Sequence, residues 1–327
     1  KNKNYDLAKD NFQKYSQFYP NDAKGNLAIG NIYFEESLWL DAIFHYYKVL
    51  ALDKENLYAK LNMAKSLINI KEFSDATDIL KSVINLYPNN FDIYYQLGIC
   101  YYELEKYNLA VKKISQAILL NASNSEIYYN LGLTYNKINS YKQAQEAFLK
   151  CIKLDSYNGL AHYELGNIYK MIFENDLAIM HYKKAKKTTD ISELNLNLGI
   201  LYFNNEEFQN AIEPLKEYIL DNMEDWNTLE KYGQALLKTN RFPEAIDIYS
   251  RLIDEYPDNV EYYFNLADSY YNLSDYSNAI ENYKRILIFD DENYIVLLKI
   301  GILLNQLNQF NEAEEYLNDA LHCGSPN

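Results

Sequence analysis

Residues 125–158, SEIYYNLGLTYNKINSYKQAQEAFLKCIKLDSYN, recur in altered form along the whole chain with a period of 34, and this repetition restricts the fold more than any single motif does. Numbering the places of the unit 1 to 34 from Ser125, Leu131, Gly132 and Tyr135 stand at 7, 8 and 11, on one face of a first helix. Asn139 at place 15 is a short polar residue that tolerates the left-handed backbone closing a helix. A second helix follows, with Ala144, Phe148 and Cys151 on one stripe at places 20, 24 and 27. Gly at place 8 and Ala at place 20 let the two helices approach closely while the larger residues fill the space beside them. Gly inside a helix costs about 1 kcal/mol relative to Ala, so its return in unit after unit implies a packing reason.

The register holds from end to end. Place 8 is Gly30, Ala64, Gly98, Gly132, Gly166, Gly199, Gly233, Ala267 and Gly301, and place 20 is alanine in nine successive units from Ala42 to Ala313. The pattern resembles the tetratricopeptide repeat, with Leu-Gly at 7 and 8, Tyr at 11, Ala at 20 and an aromatic at 24. On that resemblance residues 1–22 are the second helix of a truncated repeat, 23–191 hold units 1 to 5, and 192–327 hold units 6 to 9 of one continuous solenoid. The fifth unit is one residue short, Pro214 falls inside a second helix, and an irregular joint is expected near 183–226. The fold expected is all-α, a right-handed superhelix of helix-turn-helix units whose first helices line a groove.

Composition narrows the function. A formal charge of −15 argues against a nucleic-acid partner, because phosphate binding needs clustered Lys and Arg. No apolar stretch reaches the ~18 residues of a membrane span, so direct membrane insertion is not expected. The three cysteines are odd in number, with Cys100 and Cys151 at packing places; a reducing compartment such as the cytoplasm fits, and the bacterial periplasm stays open. The four histidines are scattered away from metal-ligand spacing, and seven of the ten glycines are the isolated place-8 residues rather than a phosphate loop. No catalytic constellation, cofactor or metal is expected. The chain opens on a lone second helix and closes without a polar capping helix, so it reads as part of something longer, with self-association through uncapped ends expected.

The resemblance implies a scaffold or adaptor that binds a protein or peptide segment in the groove. Two other roles stay open: targeting module of a larger enzyme, such as a repeat-bearing glycosyltransferase, or structural component of a bacterial envelope, secretion or motility machine. Groove residues are expected at places 2, 5, 6, 9, 12 and 13. Asn62, Asn130, Asn197 and Asn265 stand at place 6, and Asn31 and Asn167 at place 9. Their amides offer both donor and acceptor to the backbone of an extended peptide. Tyr95, Tyr102, Tyr129, Tyr163, Phe264 and Tyr271 are expected as flat apolar walls between them. One subfamily grips C-terminal carboxylates through a clamp of Lys, Asn and Arg. Asn167, Asn197 and Lys231 match it in kind, whereas Tyr163 and Asn227 stand where cations are required.

Overall fold

The computed structural model describes residues 2–323, and the outermost ends of the sequence-based division, residue 1 and residues 324–327, lie outside the described residues. Among the described residues there are nineteen α-helices and no strand. They run in order as α1 (Asn2–Phe18), then the pairs α2 (Lys24–Glu35) and α3 (Trp39–Leu52), α4 (Leu57–Asn69) and α5 (Phe73–Ile84), and α6 (Phe91–Glu103) and α7 (Tyr107–Leu120). The next pairs are α8 (Ser125–Lys137) and α9 (Tyr141–Leu154), α10 (Gly159–Met171) and α11 (Asn175–Ala185), and α12 (Ser192–Asn204) and α13 (Phe208–Asp221). The last three are α14 (Trp226–Lys238) and α15 (Phe242–Glu255), α16 (Val260–Asn272) and α17 (Tyr276–Ile286), and α18 (Tyr294–Gln306) and α19 (Phe310–Cys323).

Local chemistry sets both ends of the first helices. At place 34 the side chains of Asn56, Asn90, Asn124, Asn158, Asp225, Asn259 and Asn293 accept hydrogen bonds from backbone N–H groups of the first turn that lack helical partners. Ile191, which precedes α12 of the sixth unit, makes no such bond. Place 15 is left-handed in all nine pairs: Ser37, Lys71, Glu105, Asn139, Phe173, Glu206, Asn240, Ser274 and Asn308 have φ between 58° and 66°. The residue that follows closes the turn, as where Ser140 donates its N–H to the Tyr135 carbonyl at 2.9 Å. This is the six-to-one bond of a helix ending in a left-handed residue. The expectation drawn from Asn139 therefore extends to Lys71 and Phe173, which are far less suited to that backbone.

The small residues are where the repeat places them. Alanines 42, 76, 110, 144, 178, 211, 245 and 279 have no exposed surface. A Cβ added to Gly132 would lie 2.5 Å from Phe148, and one added to Gly199 would lie 2.5 Å from Leu215. In these pairs the first helix thus rests directly on the place-24 side chain of its own second helix.

The chain forms two compact units, Lys1–Glu174 and Asn175–Asn327. In the first unit one cluster runs from Ala42 through Tyr46, Leu80 and Leu97 to Ala110, and another joins Tyr95, Ile114, Ile127, Leu131 and Ala147. In the second unit a cluster joins Ala267, Tyr283, Ile286, Ile300, Leu304 and Ala313. Helix α13 continues through Pro214, which is buried, and at its C-terminal end Ile219 takes the buried position while Tyr218 is only half-buried. Cys100 and Cys151 are fully buried, and burial pushes both thiols up to about 11; Cys323 is exposed.

Candidate peptide-binding groove

In the second unit the first helices α12, α14 and α16, with the turns that follow α12 and α14, enclose a cavity of about 650 Å³. Phe203, Phe208 and Phe242 form apolar walls, and Asn204, Gln234, Asn240, Asn265 and Asn272 present amides. Leu237 and the charged side chains of Glu206, Lys238, Glu261 and Asp268 complete the lining. The rings of Phe203 and Phe208 meet edge to face with centroids 5.4 Å apart, and the Lys231 ammonium sits 5.5 Å above the Phe203 ring. Gln234 is steadied by donating its amide to Glu230 at 3.1 Å, and Glu230 also accepts from the Tyr262 hydroxyl at 3.2 Å.

Asp268, though part of the lining, is committed. It accepts from the Lys299 ammonium at 2.7 Å and from the Tyr283 hydroxyl, and burial followed by the Asp268 carboxylate raises the Tyr283 phenol well above its usual range. Lys299 lies 5.0 Å from the Phe264 ring, 5.3 Å from Tyr283 and 5.9 Å from Tyr271. Phe264 and Tyr271 therefore belong to a cation-centred cluster beside the cavity, and Tyr271 is 43% exposed.

The first unit treats its asparagines differently. Asn31 accepts from both the Tyr46 hydroxyl and the Asn62 amide at 2.9 Å, so two of the expected groove amides bond to each other across adjacent repeats. Asn130 donates to the Tyr95 hydroxyl at 2.6 Å, and Tyr95 is only 7% exposed. Tyr129 tilts against Phe148 at 5.8 Å, and burial pushes its phenol up to about 12. Tyr102 stands edge-on to Tyr107 at 5.6 Å. Asn167 sits beside Glu164, whose carboxyl burial raises and whose Oε2 accepts from Asn136 at 3.3 Å. Lys65 pairs with Asp92 at 2.6 Å. Tyr163 on α10, and Asn197 on α12 of the second unit, are half-buried.

Of the thirteen residues singled out by sequence, Asn265 lines the cavity and Lys231 flanks it through Phe203. Phe203, Asn204, Leu237, Lys238 and Asn272 of the lining stand at the expected places 12 and 13, whereas Phe208 and Phe242 at place 17 and Glu206 and Asn240 at place 15 were missed by the reading of the sequence. A signal was present, because place 17 is aromatic in eight units (Trp39, Phe73, Tyr107, Tyr141, Phe208, Phe242, Tyr276 and Phe310). Ring contacts between places 12 and 17 recur as Phe34 with Trp39, Tyr102 with Tyr107, Phe203 with Phe208 and Tyr271 with Tyr276. Among the described residues no group of His, Cys, Asp and Glu has the arrangement of a metal site, and no helix is long and apolar enough to cross a membrane.

Comparison with known proteins fits this architecture. Family profiles described as tetratricopeptide repeat match residues 196–260, 231–295, 264–327 and 125–158, and a profile described as anaphase-promoting complex, cyclosome, subunit 3 matches 35–117. Among curated proteins none matches the sequence. The solved structure of pilF from Pseudomonas aeruginosa is similar at a TM-score of 0.56, with 18% identity over 71% of this chain and 97% of its own. The C-terminal part of a TPR repeat-containing protein from Cytophaga hutchinsonii is similar at 0.50, with 21% identity over 73% of this chain and 99% of its own. A crystal structure of MamA is 29% identical over 49% of this chain and 94% of its own, at a TM-score of 0.46. The tetratricopeptide profiles alone reach just over half of the sequence, and the helix pairs they imply are the pairs observed: the chain belongs to the tetratricopeptide repeat family.

Proposed function

We propose that the chain is a non-catalytic scaffold that holds an extended segment of a partner protein along α12, α14 and α16. The observation that carries this reading is the 650 Å³ cavity, which is lined by five amides and three phenylalanine rings. An extended backbone needs donors and acceptors whatever its side chains are, and amides supply both. The rings offer flat apolar surface for the side chains in between. In the first unit Asn31, Asn62 and Asn130 bond to protein neighbours, as Gln234 and Asn272 of the cavity do through their amide nitrogens, each of which leaves the amide oxygen to accept. With Asp268 neutralised by Lys299, the free charges of the lining are Glu206 and Glu261 against Lys238. A neutral or weakly basic segment suits that balance.

Selection of binders from a library of displayed twelve-residue peptides, followed by fluorescence polarisation, tests the reading. Changing Gln234, Asn265 and Asn272 together to Ala is expected to leave helicity unchanged and weaken the selected peptide at least tenfold, about 1.4 kcal/mol. Binding that survives this triple change and is lost on altering Glu281 and Lys284 of α17 would place the site on the second helices and refute the proposal.

A further inference from the structure

The formal charge of −15 is unevenly divided. Residues 1–174 hold 19 cationic and 19 acidic side chains, whereas residues 175–327 hold 12 and 27. Within the neutral unit, residues 106–153 carry seven lysines against Glu126 and Glu146 alone. A second cavity, of about 590 Å³, opens inside this basic region on α8 and α9, with Tyr128, Leu131, Tyr135, Ala147 and Leu149 as its apolar lining and Gln143, Glu146, Lys150 and Lys153 beside them, two cations against one acid. Place 23 is Ala147 here and His45, Ile79, Lys113, His181, Pro214, Ile248, Asn282 or Tyr316 in the other units. Alanine stands at this place in no other unit. Leu149 is 39% exposed, and among the described residues neither Lys150 nor Lys153 is in an ion pair.

The complementary feature lies in the acidic unit. Asp290, Asp291 and Glu292 form the only run of three acids in the sequence, and all three are exposed. Directly before them Ile288 is 70% exposed and Phe289 47% exposed. Helix α17 stops early, at Ile286, and Phe289 donates its N–H to the Ile286 carbonyl at 3.0 Å, so a short tight turn carries Ile288 out to solvent beside the acids and leaves Phe289 half exposed, one side of its ring against Tyr263 at 6.5 Å. The local field is negative enough that Glu292, Asp291 and Asp290, with Asp319, add to desolvation in raising the Cys323 thiol.

We propose that the α8–α9 cavity is a docking site for a second copy of this chain, which inserts the Ile288–Phe289 turn while Asp291 and Glu292 meet Lys150 and Lys153. The apolar lining accepts the exposed aliphatic and aromatic side chains, and the paired charges set orientation and partner choice. Because the contact joins unlike surfaces of identical chains, it is heterologous.

Sedimentation velocity of the full chain across a concentration series, in about 20 mM and about 500 mM salt, reads this directly. Association that grows with concentration and weakens at the higher salt is expected. Lys150→Glu with Lys153→Glu is expected to raise the dissociation constant about tenfold or more, as is Asp291→Lys with Glu292→Lys. The chain that carries all four reversals is expected to associate again, because the ion pairs are restored with opposite polarity. Ala147→Leu fills the cavity without changing charge and is expected to weaken association with helicity intact. A wild-type chain that stays monomeric in low salt overturns the proposal, as does association that ignores both reversals or a fourfold variant that fails to recover.

Discussion

Replacement of Gly132 by Ala tests the packing logic of the repeat most directly. The added methyl would lie 2.5 Å from Cε1 of Phe148 and 2.7 Å from its Cδ1 and Cζ, and Phe148 is fully buried. A ring edge enclosed on all sides cannot swing away, so α8 and α9 must separate, and overpacking of this kind costs about 1–3 kcal/mol. Against this stands the helix preference of Ala over Gly, worth about 1 kcal/mol. The net expectation is a loss of up to about 2 kcal/mol. Gly233 provides the contrast, because a Cβ there meets Ile248 Cγ2 at 3.0 Å and Tyr249 at 3.2 Å, distances that small shifts relieve. At that position the propensity gain and the crowding are expected to offset each other to within about 1 kcal/mol. Ala64 and Ala267 occupy the same place naturally and are fully buried, so the repeat accommodates a methyl where its partner side chain gives way. Because repeat arrays open region by region, hydrogen exchange of α8 and α9 is a better measure than a single melting temperature. Faster exchange in that pair for Gly132→Ala, with little change in α14 and α15 for Gly233→Ala, is the expected result. A Gly132→Ala chain as protected as wild type, or a Gly233→Ala chain that is the worse of the two, would refute the steric account.

Lys71→Gly and Glu105→Gly relieve left-handed backbone at φ of 66° and 58°. Each is expected to add about 0.5–1 kcal/mol, visible as a rise of a few degrees in the unfolding midpoint, and a fall would contradict the turn geometry. Glu164→Gln probes a carboxyl raised chiefly by burial. A folded pKa above the unfolded one means that this group supports folding below about pH 4 and that the support is lost as pH climbs through the raised value. The Gln variant is therefore expected to be the more stable chain in urea at neutral pH, with the difference vanishing near pH 4; an equal gain at both pH values would assign the effect to something other than ionisation.

What the sequence determined by itself is the part of the structure held within one period. Leu-Gly, the place-20 alanine and the place-34 asparagine act over distances of one or two helices in the same or the adjoining unit, so their spacing predicts helix pairs, close approach and caps without reference to the rest of the chain. The left-handed turn at place 15 follows similarly from length: a helix that must reverse within three residues leaves one of them no other backbone, even where that residue is Lys71 or Phe173. The use of the groove amides was not legible, because it depends on which side chain some thirty residues away comes within 3 Å. Asn62 finds Asn31 and Asn130 finds Tyr95, whereas Asn265, with the same residue type at the same place, lines the open cavity. Tertiary structure likewise decided the two cavities. One draws on turn residues of two successive repeats and a third helix, and the other lies against a small side chain, Ala147, at a place where the other units carry larger residues. A repeat sequence specifies its own unit almost completely, and the surfaces that distinguish one unit from the next arise only when neighbours are set side by side.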